Sequence, residues 1–274
     1  MLNLMYITNK PNVARIAEAA GVDWIFVDME FIGKDSRQKG LDTVQNHHTV
    51  ADVANIKAAI TKSKVLVRVN PIHNAINGYF SSKEEIDATI EAGADIIMLP
   101  FFKSVAEVKE FIAYVDGRAK TCLLVETPEA ALLIDEILEI PGIDMIHIGL
   151  NDMHLALGMK FMFELLANGT VDALAAKIKA KGIPFGFGGI ATLNGGAVPG
   201  SMILKEHYRL GSSMVIVSRS FCNTDVVTDE ADIKRIFDEG IGQIRCLEAE
   251  AKKAVHYFPD NRRAFLDAVS RIIK

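Results

Sequence analysis

Residues 122–152, CLLVETPEAALLIDEILEIPGIDMIHIGLND, carry the pattern that decides the fold. Two short apolar runs, Cys122–Val125 and Met145–Ile148, are each followed by a carboxylate: Glu126 directly after the first, and Asp152 shortly after the second. Between the runs a proline opens a helical segment, as expected for a residue favoured in the first turn of a helix. The stretch therefore predicts strand, helix and strand in that order, the repeating unit of a parallel α/β fold.

The same unit recurs along the whole chain, and eight strands are predicted from it. They are Leu4–Thr8, Trp24–Asp28, Val65–Val69, Ile96–Leu99, Cys122–Val125, Met145–Ile148, Phe185–Phe187 and Met214–Val217. Nearly unbroken apolar runs are typical of strands that are covered by helices on one face and by a packed interior on the other. We therefore predict an α/β fold, a closed (β/α)8 TIM barrel, with an open doubly wound sheet as the alternative.

The chain length and its C-terminal region indicate a single barrel domain spanning residues 1–274. A chain of 274 residues is ordinary for an α/β barrel. We expect the barrel to occupy about residues 1–228 and a helical extension to occupy about 229–274, with helices at Glu230–Val255 and Asn261–Ile273. These helices are predicted to cover the bottom of the barrel or to pack on a neighbouring subunit. The polar stretch Gly33–His48 is unusually long for a barrel loop.

Composition excludes several classes of partner. Half of the residues are apolar and 24% are charged, and the net charge of −5 includes no block of like charges. We therefore expect neither a nucleic-acid partner nor attraction to an anionic membrane. The three cysteines are odd in number and widely spaced, which favours reduced thiols in the cytoplasm over a disulfide framework. No apolar run approaches the length needed to span a bilayer.

Charged residues gather at the downstream ends of the predicted strands. Asp28 and Glu30 follow the second strand, Arg68 lies in the third, and Glu126 and Asp152 follow the fifth and sixth. In a parallel barrel all of these ends open onto one face, where barrel enzymes do their chemistry. The pattern therefore indicates an enzyme.

The carboxylates Glu126 and Asp152 are predicted to hold a metal ion. Carboxylates on adjacent strand ends repel each other strongly unless a cation lies between them. Two carboxylates without clustered cysteine or histidine favour a hard ion such as Mg²⁺ or Mn²⁺. The alternative is that each caps the helix that follows its strand.

Arg68 lies between Val67 and Val69 in an apolar run, so its guanidinium must find an anion. It either pairs with Asp28 or Glu30 and holds the barrel rim together, or it binds a substrate carboxylate or a developing oxyanion.

His47 and His48, on the loop that returns from the catalytic face, are candidate general bases. His73, His147 and His154 are weaker candidates, because His147 lies inside a strand where a buried core role is the simpler reading. Lys103, just past the fourth strand, is a candidate Schiff-base amine for a mechanism without metal.

Glycines mark the turn after the seventh strand, at Gly186, Gly188, Gly189, Gly195 and Gly196. The loops after strands seven and eight bind phosphate in many barrels. The segment 218–220, which starts and ends with serine, could contribute hydroxyl groups. Glycine clusters also serve tight turns, so a phosphate on the substrate stays an open alternative.

Five short strings together resemble the HpcH/HpaI aldolase and citrate lyase β-subunit superfamily. They are VDME at 27–30, VRVNP at 67–71, GADIIMLP at 93–100, VET at 125–127 and IGLND at 148–152. Their order and spacing extend through most of residues 20–220. Each string is short, but the set is fairly specific.

The resemblance implies a barrel whose metal is held by Glu126 and Asp152, with Arg68 beside a 2-oxo acid or acyl-CoA and Glu30 behind these residues. Aldolases of the family bind pyruvate through its carboxylate and keto oxygens on the metal, form its enolate and join it reversibly to an aldehyde. They assemble as trimers or hexamers, with C-terminal helices commonly exchanged between subunits. We add a set of candidate substrate-binding residues near the same strand ends: Asn151, Pro100 and Phe101.

One departure from the family pattern concerns the base. Aldolases of this family usually place a histidine directly after the glutamate of the strand-two motif, where this chain has Phe31. His48 or His47 could replace it. Because the VRVNP string leans toward the citrate lyase branch, the alternatives to a metal-dependent aldolase are a lyase acting on an acyl-CoA thioester and a barrel that only binds a ligand.

Overall fold

Eight parallel strands close into a barrel in a computed structural model, which describes residues 1–34, 46–76, 78–253 and 255–274. Each strand pairs with the next along the chain, and the last pairs with the first. The prediction of a TIM barrel is confirmed, and the alternative of an open doubly wound sheet is wrong. The strands are β1 Asn3–Ile7, β2 Trp24–Asp28, β3 Lys64–Arg68, β4 Ile96–Leu99, β5 Lys120–Val125, β6 Met145–Ile148, β7 Phe185–Ile190 and β8 Met214–Val217.

Helices alternate with the strands and surround the barrel. Those before β8 are α1 Pro11–Ala20, α2 Val50–Ala59, α3 Ser82–Glu91, α4 Val105–Val115, α5 Pro128–Leu132, α6 Ile134–Ile137, α7 Leu150–Ala156, α8 Glu164–Ala167, α9 Thr170–Ala180 and α10 Gly200–Leu210. After β8 come α11 Glu230–Lys253, a short 3₁₀ helix Val255–Tyr257, and α12 Phe258–Ile273. Within the described residues, no helix combines the length and apolar character needed to cross a membrane.

The predicted strand bounds agree with the structure to within two residues, except in β7. This strand continues through Gly188 and Gly189, which the sequence reading assigned to a turn. At Gly186 a Cβ atom would lie 2.3 Å from the carbonyl oxygen of Met214 on β8. Glycine is therefore needed here because two backbones approach closely, and not because the chain turns. Of the long polar stretch 33–48, residues 35–45 lie outside the described residues.

The inward side chains of the strands fill the barrel in layers and determine which groups reach its mouth. Phe26, Leu66 and Leu124 belong to the inner apolar cluster. Since side chains two residues apart along a strand share a face, the next inward side chains are Asp28, Arg68 and Glu126. The apolar pattern of the strands thus brings charged groups from three strands to one end of the barrel.

Helix α11 packs on the outside of the barrel, against α1 and α10, and its C-terminal half reaches the starts of the first two strands. Arg245 bonds to the carbonyl oxygen of Leu2 at 2.8 Å and to the carboxylate of Asp23 at 2.7 Å. Glu248 accepts a hydrogen bond from the Leu2 N–H at 2.6 Å. These contacts lie at the starts of β1 and β2, so they anchor the C-terminal half of α11 at the end of the barrel that is opposite the mouth.

Candidate active site

A cavity of about 650 Å³ opens at the carboxyl ends of the strands. Its walls include Asp28, Arg68, Glu126 and Asp152, which are four of the five charged residues that the sequence placed on this face. A cavity of this size is typical of a site that encloses a small molecule.

Arg68 forms a bidentate ion pair with Asp28. Its Nε and Nη2 atoms donate to the two carboxylate oxygens of Asp28, each at 2.8 Å. The fifth predicted residue, Glu30, lies 3.4 Å from the same Nε. The pairing of Arg68 with Asp28 and Glu30, one of the two alternatives left by the sequence, is therefore present. The Arg68 side chain still lines the cavity, and 15% of its surface is exposed.

Lys34 and Asn46 complete this network, and the sequence reading missed both. The Lys34 ammonium is buried 3.1 Å from Asp28 and 3.5 Å from Glu30. The Asn46 side-chain amide donates to Asp28 at 3.0 Å. Burial by itself would raise the pKa of Asp28, but the charge and hydrogen bonds of Arg68, helped by Lys34 and Asn46, hold that pKa well below its usual range. Asp28 is therefore an anion at any physiological pH.

Glu30 is fully buried and lies off the cavity lining. Its carboxylate faces Lys34 and Arg68, so it positions the two cations from behind. This placement puts Glu30 behind Arg68 and separates it from residues that could touch a substrate.

The segment after β2 is fixed by a buried amide. The side-chain oxygen Oδ1 of Asn70 accepts hydrogen bonds from the backbone N–H groups of Phe31 and Ile32, both at 2.9 Å. The Asn70 amide in turn donates to the buried carboxylate of Glu85 at 2.8 Å. The Phe31 ring packs edge-on against Tyr79, with 4.9 Å between centroids. The side chain that replaces the family histidine thus points away from the cavity, into a smaller hollow beside it.

Glu126 lies on the cavity wall and is 3% exposed. Its Oε1 accepts a hydrogen bond from the backbone N–H of Phe101 at 3.0 Å. Across from it Gly149 leaves the space that the carboxylate occupies, since a Cβ atom there would lie 2.9 Å from Oε2. The cap of the following helix is Thr127, whose hydroxyl accepts from Ala130, so Glu126 does not cap that helix.

Asp152 lies in the first turn of α7 and is 8% exposed. The N-cap of this helix is Gly149, so Asp152 is not the cap either. Glu126 and Asp152 line the same cavity from neighbouring strand ends. Within the part of the chain that the structure describes, no third histidine, cysteine or acidic side chain joins them to make a fuller ligand cluster.

The donor set at this position fits Mg²⁺ or Mn²⁺. Magnesium is commonly held by one or two carboxylates and keeps several places for water or for substrate oxygens. Two nearly buried carboxylates beside an open cavity offer that combination. Among the residues that the structure describes, no cysteine or histidine joins them to form the kind of cluster that would favour zinc.

Phe101 has a left-handed backbone, with φ of +48°. This conformation is unusual for a residue with a side chain, and here it belongs to the residue whose N–H holds Glu126. Neither Phe101 nor Pro100 contributes to the cavity lining, whereas Asn151 does. Of these three predicted substrate-binding residues, the structure therefore brings only Asn151 to the cavity.

His48 lines the cavity, and its Nδ1 atom accepts a hydrogen bond from the backbone N–H of Asp28 at 3.0 Å. A neutral imidazole has one lone pair and one N–H, so Nε2 carries the hydrogen. Burial lowers the pKa of His48, which favours the neutral ring. The ring can donate a hydrogen bond from Nε2, but that nitrogen has no lone pair with which to accept a proton. His47 is exposed and lies in the smaller hollow instead of the main cavity.

His147 also reaches the cavity, from the middle of β6. Its Nε2 donates to the carbonyl oxygen of Gly188 at 3.0 Å, and burial lowers the pKa of His147 to about 4. His73 and His154 lie off the lining. Lys103 is half exposed, lies 3.3 Å from Glu129 and is also off the lining, so the structure does not support the Schiff-base alternative.

Comparison with known proteins identifies this architecture. The family model of HpcH/HpaI aldolase/citrate lyase matches residues 3–182. No curated protein matches the sequence significantly.

Several solved structures share the fold. The HpcH/HpaI aldolase from Desulfitobacterium hafniense DCB-2 is 16% identical, with a TM-score of 0.60 and coverage of 83% of this chain and 92% of that one. An HpcH/HpaI aldolase/citrate lyase family protein from Burkholderia cenocepacia J2315 is 16% identical, with a TM-score of 0.61 and coverage of 85% and 94%. Citrate synthase SbnG is 15% identical, with a TM-score of 0.59 and coverage of 85% and 92%. At these identities the likeness shows the fold alone.

Proposed function

Since the chain belongs to the HpcH/HpaI aldolase/citrate lyase family, we propose that it is a divalent-metal-dependent carbon–carbon lyase that forms or cleaves a bond to the enolate of a 2-oxo acid such as pyruvate. The observation that carries the proposal is the pair Glu126 and Asp152, two nearly buried carboxylates on one cavity wall. The guanidinium of Arg68 lies on the same cavity.

Glu126 and Asp152 would hold Mg²⁺ or Mn²⁺, which when bound acts as a Lewis acid on the keto oxygen of the substrate. The protein prepares this position in advance. The Phe101 N–H fixes one oxygen of Glu126, and Gly149 leaves room for the other. Because the ligand is oriented before the ion arrives, little ordering is needed on binding.

Arg68 would bind the substrate carboxylate and stabilise the oxyanion. The bidentate pair with Asp28 uses Nε and Nη2 and fixes the plane of the guanidinium, so that the remaining N–H groups point in defined directions. A fixed positive charge in a partly buried site lowers the energy of a developing anion more than a mobile one does.

His48 would donate a hydrogen bond from Nε2 to a substrate oxygen. Its hydrogen-bonding to the Asp28 backbone fixes the tautomer and excludes it as the proton acceptor in this state. A water molecule in the cavity would accept the proton that leaves the carbon next to the keto group of the substrate. Asn151, next to Asp152 on the lining, would orient the substrate.

The test is metal-dependent exchange of the methyl protons of pyruvate in deuterium oxide, followed by NMR. Wild-type protein with Mg²⁺ or Mn²⁺ should exchange the protons, EDTA should stop the exchange, and Glu126→Gln should abolish it. Glu129→Gln is the matched control, because Glu129 is half exposed on α5 and lies off the cavity lining. Absence of exchange with every 2-oxo acid tested would contradict the proposal. Saturable cleavage of CoA esters in its place would select the acyl-CoA alternative.

We further propose a single-domain, cytoplasmic homo-oligomer, a trimer or hexamer as the family resemblance implies. All three cysteines are free thiols, two of them buried, which is consistent with a reducing compartment. Light scattering coupled to size exclusion measures the assembly; a monomeric mass would contradict this part.

A further inference from the structure

We propose that the part of the active-site cavity beside Arg219 binds a terminal anionic group of the substrate, a phosphate or a carboxylate. This inference rests on the proposed function for the other end of the substrate, because it assumes that the 2-oxo acid group lies at Glu126 and Asp152. It specifies the chemical class of the remaining part.

Arg219 follows β8 directly and is exposed on the cavity lining. Unlike most arginines of the molecule, it has no acidic partner within ion-pair distance among the described residues. On either side of it in the chain, the hydroxyl groups of Ser218 and Ser220 bond to each other at 2.7 Å, and both residues line the cavity. One of the two hydroxyls donates in that bond, and the hydrogen of the other remains for a ligand. A guanidinium and a hydroxyl from one short segment are donors suited to phosphate or carboxylate oxygens.

The loop that carries this arginine is anchored to the barrel. The Tyr6 hydroxyl donates to the carbonyl oxygen of Cys222 at 2.8 Å, in a buried position. The Lys10 ammonium donates to the carbonyl oxygen of Thr224 and to the carboxylate of Asp225, each at 2.9 Å. Because β1 and the segment after it hold the loop at these points, the backbone of Arg219 has a fixed position beside the cavity.

Other charges around this part of the cavity do not cancel the charge of Arg219. Among the described residues, Asp225 is the acidic residue of this loop that lines the cavity, and it is already paired with Lys10. The first turn of α10 also lines the cavity, at Gly200. The N–H groups of Ser201 and Met202 in this turn bond within their own loop. Those two groups are therefore occupied, and the helix end adds its favourable dipole.

The positions of Arg219 and Glu126 around the barrel indicate how far the substrate must extend. In a closed ring of eight strands, β1 lies opposite β5, and β8 is next to β1. The anionic group would thus lie across the mouth from Glu126, and the cavity that joins the two ends has apolar side chains such as Ile216 and Phe163 in its lining. A substrate that spans the mouth has a 2-oxo acid end, an apolar or neutral middle and a negatively charged end.

The experiment uses the Mg²⁺-loaded protein with oxalate added to occupy the 2-oxo acid end. Inorganic phosphate and propionate are the probes, titrated at low ionic strength by calorimetry or NMR. At least one should bind alongside oxalate, and Arg219→Gln should weaken that binding by about tenfold or more. The control is Arg263→Gln, since Arg263 is a highly exposed arginine of α12.

Binding of phosphate alone would identify a phosphorylated substrate, and binding of propionate alone a carboxylate-ended one; both support the proposal. It is overturned if neither probe binds, if oxalate displaces the probe, or if Arg219→Gln binds it as tightly as wild type. Failure of the proposed function has a different signature: absence of pyruvate exchange, whatever the response to Arg219→Gln.

Discussion

Asp28 and Arg68 are direct register partners on β2 and β3, and their side chains form a bidentate ion pair with both N–O distances at 2.8 Å. The pair joins two strands at the mouth of the barrel and orients the guanidinium toward the cavity. Replacing one of the two residues by a neutral one leaves the other charge buried, and this destabilises the folded protein far more than replacing both.

We expect Asp28→Asn to lower the free energy of unfolding by about 3 kcal/mol, because the buried cations Arg68 and Lys34 then have only Glu30 as a close carboxylate among the described residues. The double variant Asp28→Asn, Arg68→Gln should recover part of this loss. Urea unfolding measures both. Asp238→Asn, in an exposed pair with Lys234, should cost less than about 1 kcal/mol. An equal cost for Asp28→Asn and Asp238→Asn would show that the buried network contributes little.

His48→Gln tests the hydrogen-bond donor role of His48. Glutamine keeps a donor at this position, so pyruvate exchange should fall by no more than about tenfold. The pH profile of exchange should keep its shape around neutral pH, because burial lowers the pKa of His48 and its Nδ1 accepts a hydrogen bond that only the neutral ring can accept. A loss of about 10²–10⁴-fold, the range for general-base removal, with rescue by added imidazole would instead identify His48 as the base.

Phe101 offers a test of how the protein positions Glu126. Phe101→Gly keeps the left-handed backbone and the N–H, so Mn²⁺ affinity, measured by electron paramagnetic resonance, should stay near that of wild type. Phe101→Val disfavours this backbone, and its Mn²⁺ affinity should fall by about tenfold or more. Asp116→Val is the control, because Asp116 has the same unusual φ of +49° at the end of α4. Equal Mn²⁺ affinities for Phe101→Val and Phe101→Gly would exclude the positioning role.

The buried ring of His147 predicts a loss of stability in acid. Burial lowers its pKa to about 4 in the folded protein, against about 6.5 in the unfolded chain. The contribution of the neutral His147 ring to the free energy of unfolding is therefore complete above about pH 6.5. It is lost as the pH falls toward 4, a change on the order of 3 kcal/mol. The buried His207, whose pKa is also lowered by burial, acts in the same direction.

His147→Gln should make the free energy of unfolding less dependent on pH between 6.5 and 4, because glutamine does not titrate and still offers a donor to the Gly188 carbonyl. The exposed His256→Gln is the control and should leave the slope unchanged. A slope that is the same in His147→Gln as in wild type would contradict the assignment.

Hydrophobic periodicity predicted the barrel because each strand is a buried apolar run, and four strands, among them Trp24–Asp28 and Met145–Ile148, have the predicted bounds. The glycines of β7 were wrongly predicted to form a turn. A sequence does not show that a Cβ atom at Gly186 would lie 2.3 Å from the carbonyl oxygen of Met214 on β8. The same periodicity placed Glu126 and Arg68 at the mouth.

The parts of the site that the sequence did not predict depend on distances between segments far apart in the chain. Lys34 lies at the start of the polar stretch 33–48, so its sequence context does not indicate that it is buried beside Asp28. For His48 the residue type suggested a base, and only the contact of Nδ1 with a backbone N–H shows which nitrogen carries hydrogen. The left-handed backbone of Phe101 likewise has no signal in the sequence.

The most direct test of the account is a manganese-soaked crystal measured near the manganese absorption edge. We expect one anomalous peak in contact with the carboxylates of Glu126 and Asp152, and its loss in crystals of Glu126→Gln. A wild-type crystal without a peak between these two side chains, at a manganese concentration that supports pyruvate exchange, would contradict the claim that they hold the metal.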